Sequence, residues 1–215
     1  QRISLSHERI YQYLRADRLA GGNWHAQLRR RLGLRRARRS TAYKGKITQR
    51  VSIDQRPSIV DEKSRIGDWE ADLMLGGQGG GALLTVVERK SRWTCMARLP
   101  SKQSEGVAEG LINLLHPYKK QVKTVTLDNG NEFAQHVNVS KALQASVYFA
   151  HPYCAWQRGL SENTNGLLRQ YFPKGTNFKI IRQAKLDQIQ KRLNQRPRKG
   201  LEFLTPQQIF QPERS

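Results

Sequence analysis

The stretch DWEADLMLGGQGGGALLTVVERKSRWTCMARL, residues 68–99, decides the fold class of this chain. It contains three strand candidates, at 68–75, 82–88 and 93–99, because apolar and β-branched runs alternate with a glycine-rich run and with four polar residues of hairpin length. We therefore predict three consecutive antiparallel strands at the start of a sheet.

Beyond residue 99 the hydrophobic pattern changes between helical and strand periods. Val107, Leu111 and Leu115 recur at helical spacing. Further strands are predicted at 122–127 and 147–149, and further helices at 133–143, 161–172 and 186–193. Antiparallel strands followed by alternating helices and strands indicate an α/β fold, a mixed five-stranded sheet flanked by helices.

The charge of the chain points to a polyanionic partner. Its 215 residues include 38 Lys and Arg against 17 Asp and Glu, a formal net charge of +21, which favours nucleic acid. Residues 1–50 hold 14 of the basic side chains, yet the remainder is basic too, so one solvated tail cannot explain the charge. A membrane is not expected, since no apolar run approaches the roughly 20 residues of a span. The two cysteines fit a reducing compartment.

The N-terminal region differs in composition from the rest. Helices are predicted over 4–19, with Ser6 as N-cap, and over 24–34, where Trp24 recurs with two leucines at helical spacing. The next residues have almost nothing to bury and indicate an extended basic linker. The predicted regions are 1–34 (helical), 35–65 (linker) and 66–215 (α/β domain).

Three carboxylates stand where an α/β sheet builds its sites. Asp72 lies in an otherwise apolar strand, Asp128 ends the strand at 122–127, and Glu162 is in the first turn of a helix. Strand ends and helix starts converge on one edge of such a sheet. Carboxylates brought together there repel each other unless cations neutralise them. Two Mg²⁺ or Mn²⁺ ions about 4 Å apart would suit these ligands and an in-line phosphoryl displacement.

Each acid also has a plain structural interpretation. Asp128 begins an Asp-Asn-Gly turn signal, and Glu162 is a favourable acid at a helix N-terminus. Asp72 is harder to explain in this way, because an unpaired buried aspartate is expensive. Asp68 and Glu70 lie on the same face of the strand, and alternation cannot exclude them.

Several longer segments, in order along the chain, resemble the insertion sequence 30 family of DDE transposases. They are GDWEADLM (67–74), VVERKSRW (86–93), TLDNGNEFAQH (126–136), WQRGLSENTNGLLRQYFPKGT (156–176) and the tail at 193–210. The segment at 4–22 resembles the end of the family's N-terminal helix-turn-helix region. The resemblance implies a retroviral-integrase-like RNase H fold, and makes residues 1–34 a remnant of the DNA-binding region.

The resemblance also implies the catalytic residues. Asp72, Asp128 and Glu162 match the family triad, with 33 residues between the last two, and would hold two Mg²⁺ ions for which Mn²⁺ can substitute. Only this match ranks Asp68 and Glu70 below Asp72.

DNA contacts are expected from two groups of side chains. The groups are Arg158, Asn163, Asn165, Arg169 and Lys174 around the third acid, and Arg29, Arg30, Arg31, Arg35, Arg36, Arg38 and Arg39 upstream. Asn163 and Asn165 are weak helix formers that suggest a polar partner, although a helix start also tolerates them. The upstream arginines are alternatively only a tether. Trp156 is expected in the core rather than stacked on a base.

The resulting functional hypothesis is a bacterial-type transposase, cytoplasmic and nucleoid-associated. It would cut DNA at insertion-sequence ends and join the freed 3′-hydroxyl to target DNA, as a homodimer or higher oligomer. The chain begins at Gln1 without a methionine, which we interpret as a shortened form with reduced recognition of specific ends. The alternatives are a hydrolysis-only RNase H-like nuclease and a non-catalytic DNA-binding regulator.

The salt dependence of DNA binding tests the role of the basic N-terminal region. The logarithm of the association constant should fall linearly with the logarithm of salt concentration, by about 0.9 per phosphate neutralised. Removal of residues 1–50 should flatten this slope markedly. An unchanged slope would mean that the arginine-rich segment is a tether without DNA contacts.

Overall fold

Five strands form one mixed sheet in the computed structural model, which describes residues 5–28, 47–152 and 154–211. The strands are β1 (Asp68–Leu75), β2 (Ala82–Glu88), β3 (Thr94–Leu99), β4 (Thr124–Leu127) and β5 (Ser146–Phe149). In the order β3-β2-β1-β4-β5, the first three are antiparallel, and β4 and β5 continue parallel to β1. The predicted α/β architecture is therefore confirmed.

Helices cover both faces of this sheet. They are α1 (His7–Leu19), α2 (Ile59–Glu62), α3 (Ser104–Leu115), α4 (His136–Leu143), α5 (Gly159–Leu168), α6 (Gln183–Asn194) and α7 (Pro206–Phe210). Helix α5 ends before the predicted residue 172, because the chain turns there and packs Phe172 against Phe178 with ring centroids 5.6 Å apart. No helix in the described ranges is long and apolar enough to cross a membrane.

Strand β1 contributes to a different layer on each face. Trp69 and Ala71 are buried with residues of α3 and α4 on one side, and Met74 is buried with residues of α5 and α6 on the other. Because side chains alternate along a strand, Asp68, Glu70 and Asp72 lie on the face that carries Met74. That face therefore has to accommodate three carboxylates, two of which, Glu70 and Asp72, bond to residues of α5.

The described part of the predicted linker packs on the sheet. Ile47, Ile53 and Val60 are buried, and Ser52 forms a parallel bridge with Phe149 at the edge strand β5. This part of the predicted linker therefore includes two short helical turns, Ile53–Gln55 and Ile59–Glu62, and is not extended throughout.

The N-terminal segment contains one of the two predicted helices. Helix α1 begins after Ser6, whose Oγ accepts a hydrogen bond from the backbone N of Arg9 at 3.3 Å. The helix predicted over 24–34 is not found in its described part, which is a short 3-10 turn followed by extended backbone at Leu28. Trp24 is exposed, so this stretch lacks the packing that stabilises a helix. The rest of it lies outside the described residues.

Helix α7 closes the core, which predicts a large effect of Phe210→Ala. The Phe210 ring stacks on Trp93 at 5.2 Å and meets the edges of Trp69 and Tyr118. Its removal should lower the free energy of unfolding in urea by about 3–5 kcal/mol. Phe203 is exposed, and Phe203→Ala should change it by less than about 0.5 kcal/mol. Equal effects of the two substitutions would contradict this packing.

Candidate active site

The three predicted acids line one cleft of about 790 Å³. Asp72 lies on β1, Asp128 directly follows β4, and Glu162 belongs to the first turn of α5. Strands β1 and β4 are parallel, with Glu70 opposite Thr126, so each aspartate stands two residues beyond this pair on its own strand. The cleft therefore forms where β4 ends, beside a residue in the middle of β1 rather than at its end.

One guanidinium lies between the two aspartates. Arg158 Nη1 is 3.3 Å from Asp72 Oδ1, and Arg158 Nη2 is 3.4 Å from Asp128 Oδ2. Nη1 also donates to the backbone O of Ala71 at 3.4 Å. The Arg158 side chain is only 11% exposed, so water screens the attraction between these charges less than it would at the surface. Arg158 is thus the cation that offsets the repulsion between the two acids.

A second contact orients the Asp72 carboxylate. Asn165 Nδ2 donates to Asp72 Oδ2 at 2.6 Å, and Asn165 Oδ1 accepts from Thr85 Oγ1 at 3.1 Å. Thr85 is buried on β2, directly opposite Asp72 in the antiparallel register. The polar partner predicted for Asn165 is therefore Asp72 in this structure, and its contact with DNA stays a prediction.

Burial raises the pKa of Asp72 above its usual value. Arg158 opposes this rise by favouring the charged carboxylate, whereas the negative charge of Asp128 adds to it. Asp128 itself has a local partner, because its Oδ1 accepts from the backbone N of Gly130 at 2.8 Å. Asp128 therefore both begins the predicted turn and faces the cleft.

Glu162 stands apart from the two aspartates. Its side chain is exposed, and within the described residues it has no hydrogen bond or ion pair. Across the same ranges, no three His, Cys, Asp or Glu side chains lie close enough together to hold a metal ion. The chemistry of the donor set still fits a divalent cation, because Asp72 and Asp128 already converge on one positive group and Glu162 faces the same cleft.

The remaining predicted contact residues lie around this cleft. Asn163, Arg169 and Lys174 line it with Arg158 and Asn165. Arg169 Nη1 lies 3.4 Å from the backbone oxygens of Phe172 and Pro173, which keeps its guanidinium at the end of α5. The seven upstream arginines, from Arg29 to Arg39, lie outside the described residues.

The degree of burial of Asp68, Glu70 and Trp156 decides two expectations about residues near the cleft. Asp68 and Glu70 are buried against arginines and do not line the cleft. Trp156, expected in the core, is 75% exposed, because the 3-10 turn Ala155–Arg158 directs Arg158 inward. Sequence reasoning missed Thr85, although a threonine in the apolar run ALLTVVE, paired opposite Asp72 by the hairpin register, was a usable signal.

A double-mutant cycle tests the Arg158 bridge. Arg158→Gln and Asp128→Asn should be non-additive in the free energy of unfolding, with a coupling of roughly 0.5–3 kcal/mol, because either substitution removes the same contact. As a control, Arg98 donates to the backbone oxygens of Lys179 and Ile181, and Arg98→Gln should be additive with Asp128→Asn. Additivity of the Arg158 pair would mean that the bridge contributes nothing in solution.

Comparison with known proteins agrees with this arrangement. The integrase core domain model matches residues 62–155. The chain is 42% identical to the transposase for insertion sequence element IS4351 of Bacteroides fragilis, over 96% of this chain and 64% of that protein. It is 37% identical to transposase InsI for insertion sequence element IS30A of Escherichia coli K12, over 97% of this chain and 56% of that protein. It therefore spans less than two thirds of either relative.

A solved structure supports the fold independently. A chain of the simian T-cell lymphotropic virus intasome, in complex with PP2A regulatory subunit B56 gamma, superposes with a TM-score of 0.57 and 19% identity, over 70% of this chain and 56% of that one. The sheet is thus that of the RNase H-like integrase cores. With the integrase core domain model matching its centre, this chain is similar along nearly its whole length to transposases of insertion sequences, those of IS4351 and IS30A among them.

Proposed function

We propose that this chain carries the catalytic domain of a DNA transposase, which cleaves DNA at insertion-sequence ends and joins the freed 3′-hydroxyl to target DNA. The observation that carries the proposal is the convergence of Asp72, Asp128 and Glu162 around one cleft. The relatives named as transposases support the same reaction. Since the chain spans 64% or less of the two relatives compared above, the activity of the whole protein is part of the proposal.

The proposal includes two Mg²⁺ ions, replaceable by Mn²⁺, held by Asp72, Asp128 and Glu162. Carboxylate oxygens are the ligands that these hard cations prefer. When bound, such ions activate the attacking oxygen and stabilise the leaving oxygen of a phosphodiester.

The protein's own groups would prepare this site. Asn165 holds one Asp72 oxygen at 2.6 Å and is itself held by Thr85, so the carboxylate is oriented before any ligand arrives. Arg158 pairs with both Asp72 and Asp128. Once the acids have another cation, Arg158 would be released to a DNA phosphate, for which a guanidinium offers two parallel donors.

The rim of the cleft supplies further phosphate contacts. Arg169 and Lys174 line the cleft together with the polar side chain of Asn163. The upstream arginines would extend this basic track, with the protein acting on DNA as a homodimer or higher oligomer. Net positive charge explains general attraction to DNA, whereas the acids explain chemistry on it.

The two rival functions predict different products. A non-catalytic regulator accounts for the charge but gives no reason for three acids around a basic cleft. A hydrolysis-only nuclease would cut labelled end DNA but never join its 3′-hydroxyl to a second duplex. A strand-transfer assay with Mg²⁺ or Mn²⁺ separates the nuclease from the transposase.

Amide substitutions test the three acids individually. Asp72→Asn, Asp128→Asn and Glu162→Gln should each abolish strand transfer and leave DNA affinity within a few fold, because DNA affinity comes mainly from the basic surface. Glu109 is an exposed acid on α3, away from the cleft, and Glu109→Gln should join DNA as the wild type does. Near-wild-type joining by any of the three cleft variants would remove that residue from the metal site.

A further inference from the structure

Glu70 is a buried carboxylate that connects two of the acid-bearing elements. It lies on β1, two residues before Asp72, and is 1% exposed. Its Oε1 accepts a charged hydrogen bond from Arg89, and its Oε2 accepts one from the backbone N of Ser161 at 3.0 Å. Ser161 directly precedes Glu162. A single side chain thus joins the strand of the first acid to the helix turn of the third.

Helix α5 depends on this carboxylate for its N-terminal end. The first backbone N–H groups of any helix have no acceptor within the helix. The N-cap residue of α5, Arg158, makes no side-chain capping bond. Glu70 supplies the missing acceptor from the neighbouring strand, with the negative charge that a helix N-terminus favours.

Arg89 makes it possible to bury this charge. An isolated buried carboxylate would be strongly unfavourable, but Arg89 is itself buried and neutralises Glu70. Arg89 is held in turn by the backbone O of Val60 at 3.0 Å and by Asp61 at 3.3 Å. The pair is therefore fixed on both sides rather than free to rotate.

The same polar layer reaches the strand of the second acid. Arg56 bonds to Asp61, and its Nη1 donates to Thr126 Oγ1 at 2.9 Å. Thr126 lies on β4, two residues before Asp128. One connected set of charges, buried except for Asp61, thus contacts all three elements that carry the acids of the cleft.

We propose that Glu70 is a positioning residue of the active site. By bonding Ser161 it fixes the first turn of α5 on β1, and so sets the place of Glu162 relative to Asp72. This inference rests on the proposed function for its catalytic consequence, but the helix contact itself can be measured without any activity.

Glu70→Gln tests the proposal, with Glu88→Gln as a matched control. A glutamine side chain is uncharged and has one oxygen, so it cannot accept hydrogen bonds from Arg89 and from the backbone N of Ser161 as the two carboxylate oxygens of Glu70 do. Glu88 is also fully buried on a strand, and it accepts from the backbone N of Gly67 at 3.1 Å and of Ser91 at 2.6 Å, with no contact to α5. Both variants lose a buried carboxylate, but only the first affects the cleft.

Two readouts on the full chain separate positioning from general stability. Hydrogen exchange of residues 159–168 should become about fivefold to tenfold faster in Glu70→Gln, as expected for loss of an N-cap bond, and remain unchanged in Glu88→Gln. The kcat of strand transfer should fall by about a hundredfold in Glu70→Gln at unchanged KM for DNA, because a small misplacement of a catalytic group has that effect.

The remaining outcomes are equally decisive. If both variants lose kcat in proportion to their stability, or if exchange in 159–168 is unchanged in Glu70→Gln, Glu70 has no positioning role. If the wild type joins no DNA, the proposed function fails, and the exchange result still decides the role of Glu70. Should Glu70→Gln not fold, Glu70→Asp keeps the charge beside Arg89 but withdraws it from Ser161, and the same exchange and kcat changes are expected.

Discussion

The structure is organised around the cost of placing three carboxylates on one face of a buried central strand. Each of these acids on β1 is matched by a different arginine. The pairs are Asp68–Arg65, Glu70–Arg89 and Asp72–Arg158. In the first two pairs the carboxylate is fully buried and its arginine is held in the interior or at its edge. Asp72 differs, because it is 19% exposed and faces a cleft, with an arginine that comes from the turn before α5.

This difference supports the proposal that Asp72, rather than Asp68 or Glu70, takes part in the chemistry. Asp68 also accepts from Thr124 Oγ1 at 2.8 Å, and Glu70 accepts from the helix backbone, so both oxygens of each carboxylate are occupied by the fold. Asp72 shares its arginine with Asp128, an arrangement in which one cation serves two acids. Both oxygens of Asp72 are bonded too, one to Arg158 and one to Asn165, so Asp72 differs in its exposure and in sharing its arginine rather than in having a free oxygen.

The features that could be predicted from the sequence are the strands and helices with a clear hydrophobic period, and the placing of polar residues where strands end. The strand pattern and the edge rule brought Asp72, Asp128 and Glu162 to one cleft, although alternation could not distinguish Asp72 from its strand neighbours. Sequence reasoning could not predict the inward direction of Arg158 or the exposure of Trp156, since both depend on the 3-10 turn Ala155–Arg158 and on the contacts of Arg158 with residues far away in the sequence.

Packing against distant residues explains the other differences. Residues 47–65 were predicted as part of a basic linker because their local composition is polar, yet Ile53 is buried beside the bridge between Ser52 and Phe149. The stretch that begins at Trp24 differs in the opposite direction. Its apolar residues have helical spacing, but no apolar surface among the described residues covers the Trp24 side chain, so packing does not stabilise a helix there. Predictions from the local sequence pattern were therefore correct for elements whose own hydrophobic period favours them. They were wrong where contacts with distant residues determine the conformation.

We propose that Asp72, Asp128 and Glu162 form one metal site, beside the Arg158 guanidinium that pairs with the two aspartates. Crystals of the full chain soaked in Mn²⁺ and measured by anomalous scattering test it most directly. The account predicts manganese peaks bonded to all three carboxylates, with the Arg158 guanidinium displaced from the two aspartates. Saturating Mn²⁺ that leaves Arg158 between Asp72 and Asp128, with no peak at these acids, would contradict it.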